Sequence, residues 1–383
     1  MPELPTPEPD ARAHSARLTC ALTAEIERSG GWISFARFME MALYHPGQGY
    51  YSAGATKFGA AGDFVTAPEL SPFFGRALAA QVAQVLRETG GDVLEIGPGS
   101  GRLAADCLLA LESLGRLPAR YRLLELSGEL KARQQETLAA RVPHLRDRIQ
   151  WEEALPEQFE GVAIGNEVLD ALPVHLVAWQ EDALAERGVG LSEGRLSWAS
   201  RPLKSGPLFE AAAPLRLSPG YVSEIGLAAQ GLVETLGSRL TRGLVLLIDY
   251  GFGSREYYHP QRAQGTLMCH YRHFAHADPF HYPGLQDITA HVDFSALARA
   301  GTRAGLTLHG YTTQASFLIG CGLIDLLGRL SPEDPAQYLP AAQQVQTLTS
   351  PAEMGELFKV IALTRGLDIP LIGFAGRDMR RLL

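Results

Sequence analysis

The segment DVLEIGPGSGRLA, residues 92–104, carries the densest chemical signal in the chain. A short apolar run leads into Gly97-Pro98-Gly99-Ser100-Gly101 and then into a helical pattern. Glycines at Gly97, Gly99 and Gly101 let the backbone turn tightly and approach a ligand closely. The helix that follows directs free N–H groups at that ligand. A dinucleotide fingerprint would need its third glycine at position 102, which is Arg102, and no Gly-Lys-Ser/Thr ending marks a P-loop. Glu125, near the end of the next apolar run, can accept from both hydroxyls of a ribose, which Asn or Gln does less well. A solvated strand-end glutamate would read the same in isolation; beside the glycine loop the binding reading wins. Pro98 and Leu126 belong to the same candidate site. Glu152 and Glu153 end a third run, where such sites contact a base, and Glu153 is carried as a candidate there.

A second constellation is Asn166, Glu167 and Asp170 after a fourth apolar run. If the turn there is helical, Glu167 and Asp170 share one face and can grip a cationic group between them. Acids also favour the first turn of a helix for its dipole alone, so that reading stays open. His291, ahead of Val292 and Asp293, is expected to open a helix and is a candidate proton acceptor, or equally a capping or packing residue. Cys269, His270, His273 and His276 do not follow a recognised zinc spacing, and no metal is expected.

The elements that must position these groups alternate. Strands are expected at 92–97, 121–126, 148–151, 161–166 and 243–251, with helices at 102–114 and 128–141. Short apolar strands separated by helices imply a parallel sheet buried on both faces, with its ligand crevice beyond the carboxyl ends. The residues between 176 and 219 read as antiparallel hairpins inserted at the sheet edge, and 221–240 as a helix returning to the sheet. A helix at 291–304 and strands at 306–313 and near 360 complete the order. Ahead of all this, helices are expected at 18–29, stopped by Gly30-Gly31, and at 34–43, with Ser34 as N-cap. The glycine- and aromatic-rich stretch 47–75 is too long for an idle connector and is expected to form a lid, with Tyr50, Tyr51 and Phe58 over the ligand. The expected division is residues 1–75 as an N-terminal segment and lid, and 76–383 as the main domain with an insertion at about 177–220.

The 383 residues hold 34 Lys and Arg against 42 Asp and Glu, a net charge of −8. That argues against wrapping nucleic acid. No stretch is apolar enough to insert in a membrane, and the 4 scattered cysteines exclude a disulfide framework. The proline-rich, acidic start lacks the features of a secretory or mitochondrial leader, so a cytoplasmic location is expected.

Glu95 followed by the G-x-G-x-G loop resembles the first motif of S-adenosylmethionine enzymes. Three further blocks, residues 57–75, GNEVLDALPVH at 165–175 and residues 246–297, make the chain similar to the bacterial and mitochondrial MidA-type methyltransferase family of complex I assembly. The resemblance implies an α/β, Rossmann-like class I fold. Its sheet would be seven-stranded and mainly parallel, with an N-terminal helical and loop extension and an antiparallel insertion. It implies S-adenosyl-L-methionine as cofactor and methylation of an arginine on a partner protein, in relatives a quinone-module subunit of complex I. Within the motifs, Glu95, Gly97, Pro98, Gly99, Gly101, Glu125, Leu126, Glu153 and Asn166 would bind the cofactor. Asn166, Glu167, Asp170 and His291 would face the chemistry, and Gly62, Asp63, Glu69, Asp249, Tyr250, Asp287 and Asp293 would lie on the substrate or lid side. The alternative is an assembly protein that binds the cofactor without turnover; the acids after the fourth strand favour the enzyme.

Overall fold

The computed structural model describes residues 4–52 and 66–383. Its centre is a sheet of β1 (Asp92–Ile96), β2 (Tyr121–Leu124), β3 (Ile149–Glu152), β4 (Phe159–Asn166), β5 (Leu240–Phe252), β6 (Thr307–Thr313) and β7 (Phe358–Arg365). The spatial order is β6-β7-β5-β4-β1-β2-β3. β1 to β5 pair in parallel, whereas β7 runs antiparallel to both β5 and β6. The two-residue strand Val292–Asp293 adds to the end of β5. This is the mainly parallel α/β sheet expected from the alternation. Side chains on both faces of β1, β4 and β5 are buried, one set against α3 (Pro72–Thr89) and α4 (Arg102–Ser113), the other against α6 (Leu227–Arg239) and α7 (Phe294–Arg303). Strands covered on both faces read as near-continuous apolar runs, broken in β1 by the buried Glu95.

Local signals account for the helix ends. Ser71 caps α3 by accepting from the Phe73 N–H, Pro72 takes the first position, and Gly90 closes it in the left-handed region at φ 65°. Two expectations fail. Residues 221–240 are not one helix: Val222–Ile225 forms a strand before α6 begins at Leu227. His291 does not open a helix either, since α7 starts at Phe294 with Asp293 as its N-cap. In both cases a β-branched residue ahead of the helix takes an extended partner, which helical periodicity alone does not reveal.

The N-terminal segment and the insertion make one structure. Strand Trp32–Ser34 pairs with Leu184–Ser192, which pairs with His175–Trp179 and Arg195–Leu203, and Val222–Ile225 closes this five-stranded antiparallel sheet. Gly188 permits the approach, because a Cβ there would lie 2.2 Å from the Ile33 carbonyl oxygen. Helices α1 (Pro9–Arg28) and α2 (Phe35–Tyr44) pack Leu18, Leu22, Phe35, Phe38 and Met39 on this sheet with Val174, Leu176, Val189, Cys269 and Ile288. The expected hairpin insertion is therefore present but broader, and it shares its core with the first 44 residues. Ser34 is the N-cap of α2, as its position suggested, accepting from the Arg37 N–H.

Candidate active site

A cavity of about 850 Å³ opens beyond the carboxyl ends of β1, β2 and β4. The glycine loop forms one wall. Gly97, Gly99 and Gly101 take φ values of 61°, 54° and 83°, a region that disfavours any side chain. Gly101 also lies against Gln134 of α5 (Gly128–Arg141), where a Cβ would come within 3.3 Å of the Gln134 Cα. That fully buried glutamine ties the site together. Its Nε2 donates to the Gly99 carbonyl and to Glu125 Oε2, each at 2.9 Å, while its Oε1 accepts from Trp151 Nε1 at 3.0 Å. Glu125 Oε1 accepts from the Ser127 N–H at 2.7 Å. Burial raises the Glu125 pKa, and these bonds oppose the rise.

Under the loop, Glu95 accepts from the Tyr121 hydroxyl at 2.6 Å, and burial pushes its carboxyl up to about 8. Glu69, in the short helix Ala67–Leu70, accepts from the Ser100 hydroxyl and pairs with Arg102 at 3.2 Å. Both Glu69 and Arg102 line the cavity.

The segment after β4 is a turn rather than a helix, which corrects the premise that Glu167 and Asp170 share a helical face. Instead the N–H groups of Val168, Leu169 and Asp170 converge on Asp249 Oδ2 at 3.1, 2.8 and 3.2 Å. Three successive amides make an anion nest, here filled by an acid from β5. Glu167 is thereby held at φ 52°, an uncommon conformation for glutamate. Its Oε1 accepts from the Ala67 N–H at 3.2 Å and from Asn166 Nδ2 at 3.1 Å. Burial, reinforced by the charge of Asp170, pushes the Glu167 carboxyl up to about 8. Asp170 is also raised by burial; it accepts from the Tyr250 hydroxyl and does not reach the cavity wall. Opposite, the Tyr44 and Tyr51 rings stack 5.5 Å apart, fixed by hydroxyl bonds to the Ala171 carbonyl and to Asp287 Oδ2.

The cavity thus gathers Glu69, Glu95, Gly97, Pro98, Gly99, Glu125, Leu126, Asn166 and Glu167. Other candidates fall elsewhere. Glu153 is 85% exposed and pairs with Lys131, outside the cavity wall. Asp249 is fully buried as the acceptor of the nest, Tyr250 sits behind Asp170, and Asp293 caps α7 while accepting from Ser254. None of these three lines the cavity. His291 packs between Tyr250 and Phe252, off the main cavity; burial, Arg262 and Lys359 lower it to about 4. Gly62, Asp63 and Phe58 lie outside the described residues. Among the described residues, no group of His, Cys, Asp and Glu converges as metal ligands, and no helix is long and apolar enough to cross a membrane. Sequence reasoning missed Gln134, Tyr44 and Arg102, the partner of the candidate Glu69; Arg102 was read only as a missing glycine.

These residues fit an adenosyl amino acid. Leu126 is 81% exposed at the cavity, a bare apolar surface for a base. Glu125 is positioned for a ribose diol, and the buried Asn166 Oδ1 has no partner among the described residues and can accept from a ligand donor.

Residues 77–312, well over half of the chain, match a family model for S-adenosyl-L-methionine-dependent methyltransferases, Methyltransf_28. Among named relatives, the Drosophila melanogaster mitochondrial protein arginine methyltransferase NDUFAF7 homolog is 29% identical, aligned over 96% of this chain and 91% of its own length. The Mus musculus mitochondrial protein arginine methyltransferase NDUFAF7 is 30% identical, over 88% and 82%. A crystal structure from Burkholderia thailandensis, bound to S-adenosyl-homocysteine, is 54% identical, with both chains covered in full and a TM-score of 0.96.

Proposed function

The chain belongs to the Methyltransf_28 family of S-adenosyl-L-methionine-dependent methyltransferases, and from that premise we propose that it methylates an arginine side chain of a partner protein. Glu167 carries the reading: a half-buried carboxyl in the cavity wall, beside the cofactor loop, with no cation among the described residues in an ion pair with it. A guanidinium is the complement of such a group. It is protonated at neutral pH, with a pKa above about 12, and its nitrogens are poor nucleophiles in that form.

Bound S-adenosylmethionine supplies a methyl group on a sulfonium, which departs as a neutral thioether. Glu167 pairs with the guanidinium and accepts the proton that the attacking nitrogen loses as its bond to carbon forms. Asn166 and the Ala67 N–H hold the Glu167 carboxylate in place. Tyr44 and Tyr51 offer ring faces to the cation. Most of the rate comes from this alignment, since methyl transfer is an in-line displacement. Arginine-directed names among the relatives support the reading. The family resemblance points further, to a respiratory complex I subunit as the partner. A cytoplasmic site of action is part of the same proposal.

The test is transfer of labelled methyl from the cofactor into proteins co-purified with this chain, with the modified residue mapped by mass spectrometry. Methylarginine that is absent with Glu167→Gln is the expected result. Label on another residue type overturns the arginine reading. Cofactor binding without transfer to any protein favours an assembly protein.

A further inference from the structure

Glu69 and Arg102 reach the glycine loop from two separate elements. Arg102 opens α4 and Glu69 comes from the short helix Ala67–Leu70. Arg102 Nη1 donates to Glu69 Oε2 at 3.2 Å, while Glu69 Oε1 holds the Ser100 hydroxyl. Both side chains line the cavity beside Gly97, Pro98 and Gly99, Arg102 at 39% exposure and Glu69 at 10%. A half-exposed ion pair contributes little stability, so folding alone does not account for its place in the wall. One fixed positive and one fixed negative group side by side complement an α-amino acid in its zwitterionic form. The guanidinium fork matches a carboxylate, and the glutamate matches an ammonium. Glu125 and Leu126 already provide for ribose and base, and neither bears on a charged amino-acid tail.

We propose that Glu69 and Arg102 form the subsite for the amino-acid end of the cofactor, Arg102 taking the carboxylate and Glu69 the ammonium. The enzyme then separates adenosyl amino acids from neutral 5′-thioadenosines by charge. This goes beyond the arginine reading and does not depend on it, because no protein substrate enters the test.

Calorimetric titration with S-adenosyl-homocysteine and with 5′-methylthioadenosine, which lacks the amino-acid end, decides the matter. The wild-type chain binds the first more tightly. Arg102→Leu loses at least about tenfold in affinity for S-adenosyl-homocysteine, about 1.4 kcal/mol, and less than about twofold for methylthioadenosine. Glu69→Gln gives the same split. Equal losses for both ligands, or unchanged affinity for S-adenosyl-homocysteine, overturn the proposal. Should Arg102→Leu not fold, Arg102→Lys keeps the charge without the fork and shows the split at smaller size; equal losses there overturn it as well.

Discussion

Glu95, buried, and Glu167, half-buried, are both acids pushed up to about 8, yet their surroundings assign them different work. Glu95 lies beneath the glycine loop with its bond to Tyr121, while Glu167 is strained into the cavity wall by the nest that Asp249 fills. For Glu167 the ionised form is the one that grips a cation. The kcat/KM for the protein substrate is therefore expected to rise with pH and level off above about 8, and Glu167→Gln to lower kcat by about 100-fold or more. A profile flat from pH 6 to 9 contradicts the role. Glu95 bears on stability instead. Its folded pKa is raised from 4.5, so the folded state holds the proton more tightly than the unfolded state. Its contribution is complete below pH 4.5 and is lost as pH rises through about 8. Glu95→Gln keeps an acceptor for Tyr121 and removes that loss. Its stability relative to wild type should grow between pH 5 and 9 by on the order of a few kcal/mol; parallel denaturation curves across that range refute this.

At the scale of elements, the glycine loop, β2 and α5 act as one unit through Gln134. Helix α5 was legible from its pattern, with its limits at Gly128 and Arg141 as expected. Gln134 was not, because a glutamine on a polar helix reads as solvent-facing until Gly101 and Trp151 close over it. The strands were legible for a related reason: burial on both faces leaves a near-continuous apolar run. What escaped was long-range partnership. Residues 222–225 look helical until His175–Trp179 pairs with them, and Asp249 looks like a site acid until three amides from another segment meet it. Gln134→Leu nearly keeps the volume but strands Glu125 Oε2, the Gly99 carbonyl and the Trp151 N–H. A stability loss of about 2–3 kcal/mol is expected, with weaker binding of S-adenosyl-homocysteine by calorimetry. Unchanged affinity in a folded Gln134→Leu variant argues that the loop positions itself.

Across the whole molecule, the cofactor side of the cavity comes from the parallel sheet, and α2 supplies much of the facing wall. Arg37, Glu40 and Tyr44 of α2 line the cavity, and the same helix buries Phe35, Phe38, Met39 and Met41 against the insertion sheet. Fully burying such side chains is worth roughly 1.5–3 kcal/mol each, so α2 and the sheet of residues 175–225 depend on each other. The expected division at residue 75 cuts through this shared core. Removing residues 1–44 should uncover the apolar faces of Val174, Leu176 and Val189 and erase the wall that faces Glu167. The truncated chain is expected to bind a hydrophobic dye, to melt without a sharp transition, and to transfer no methyl to protein. If it instead keeps a cooperative melt and turns over the protein substrate, the first 44 residues are an appendage, and the acceptor must be held by the parallel-sheet domain alone.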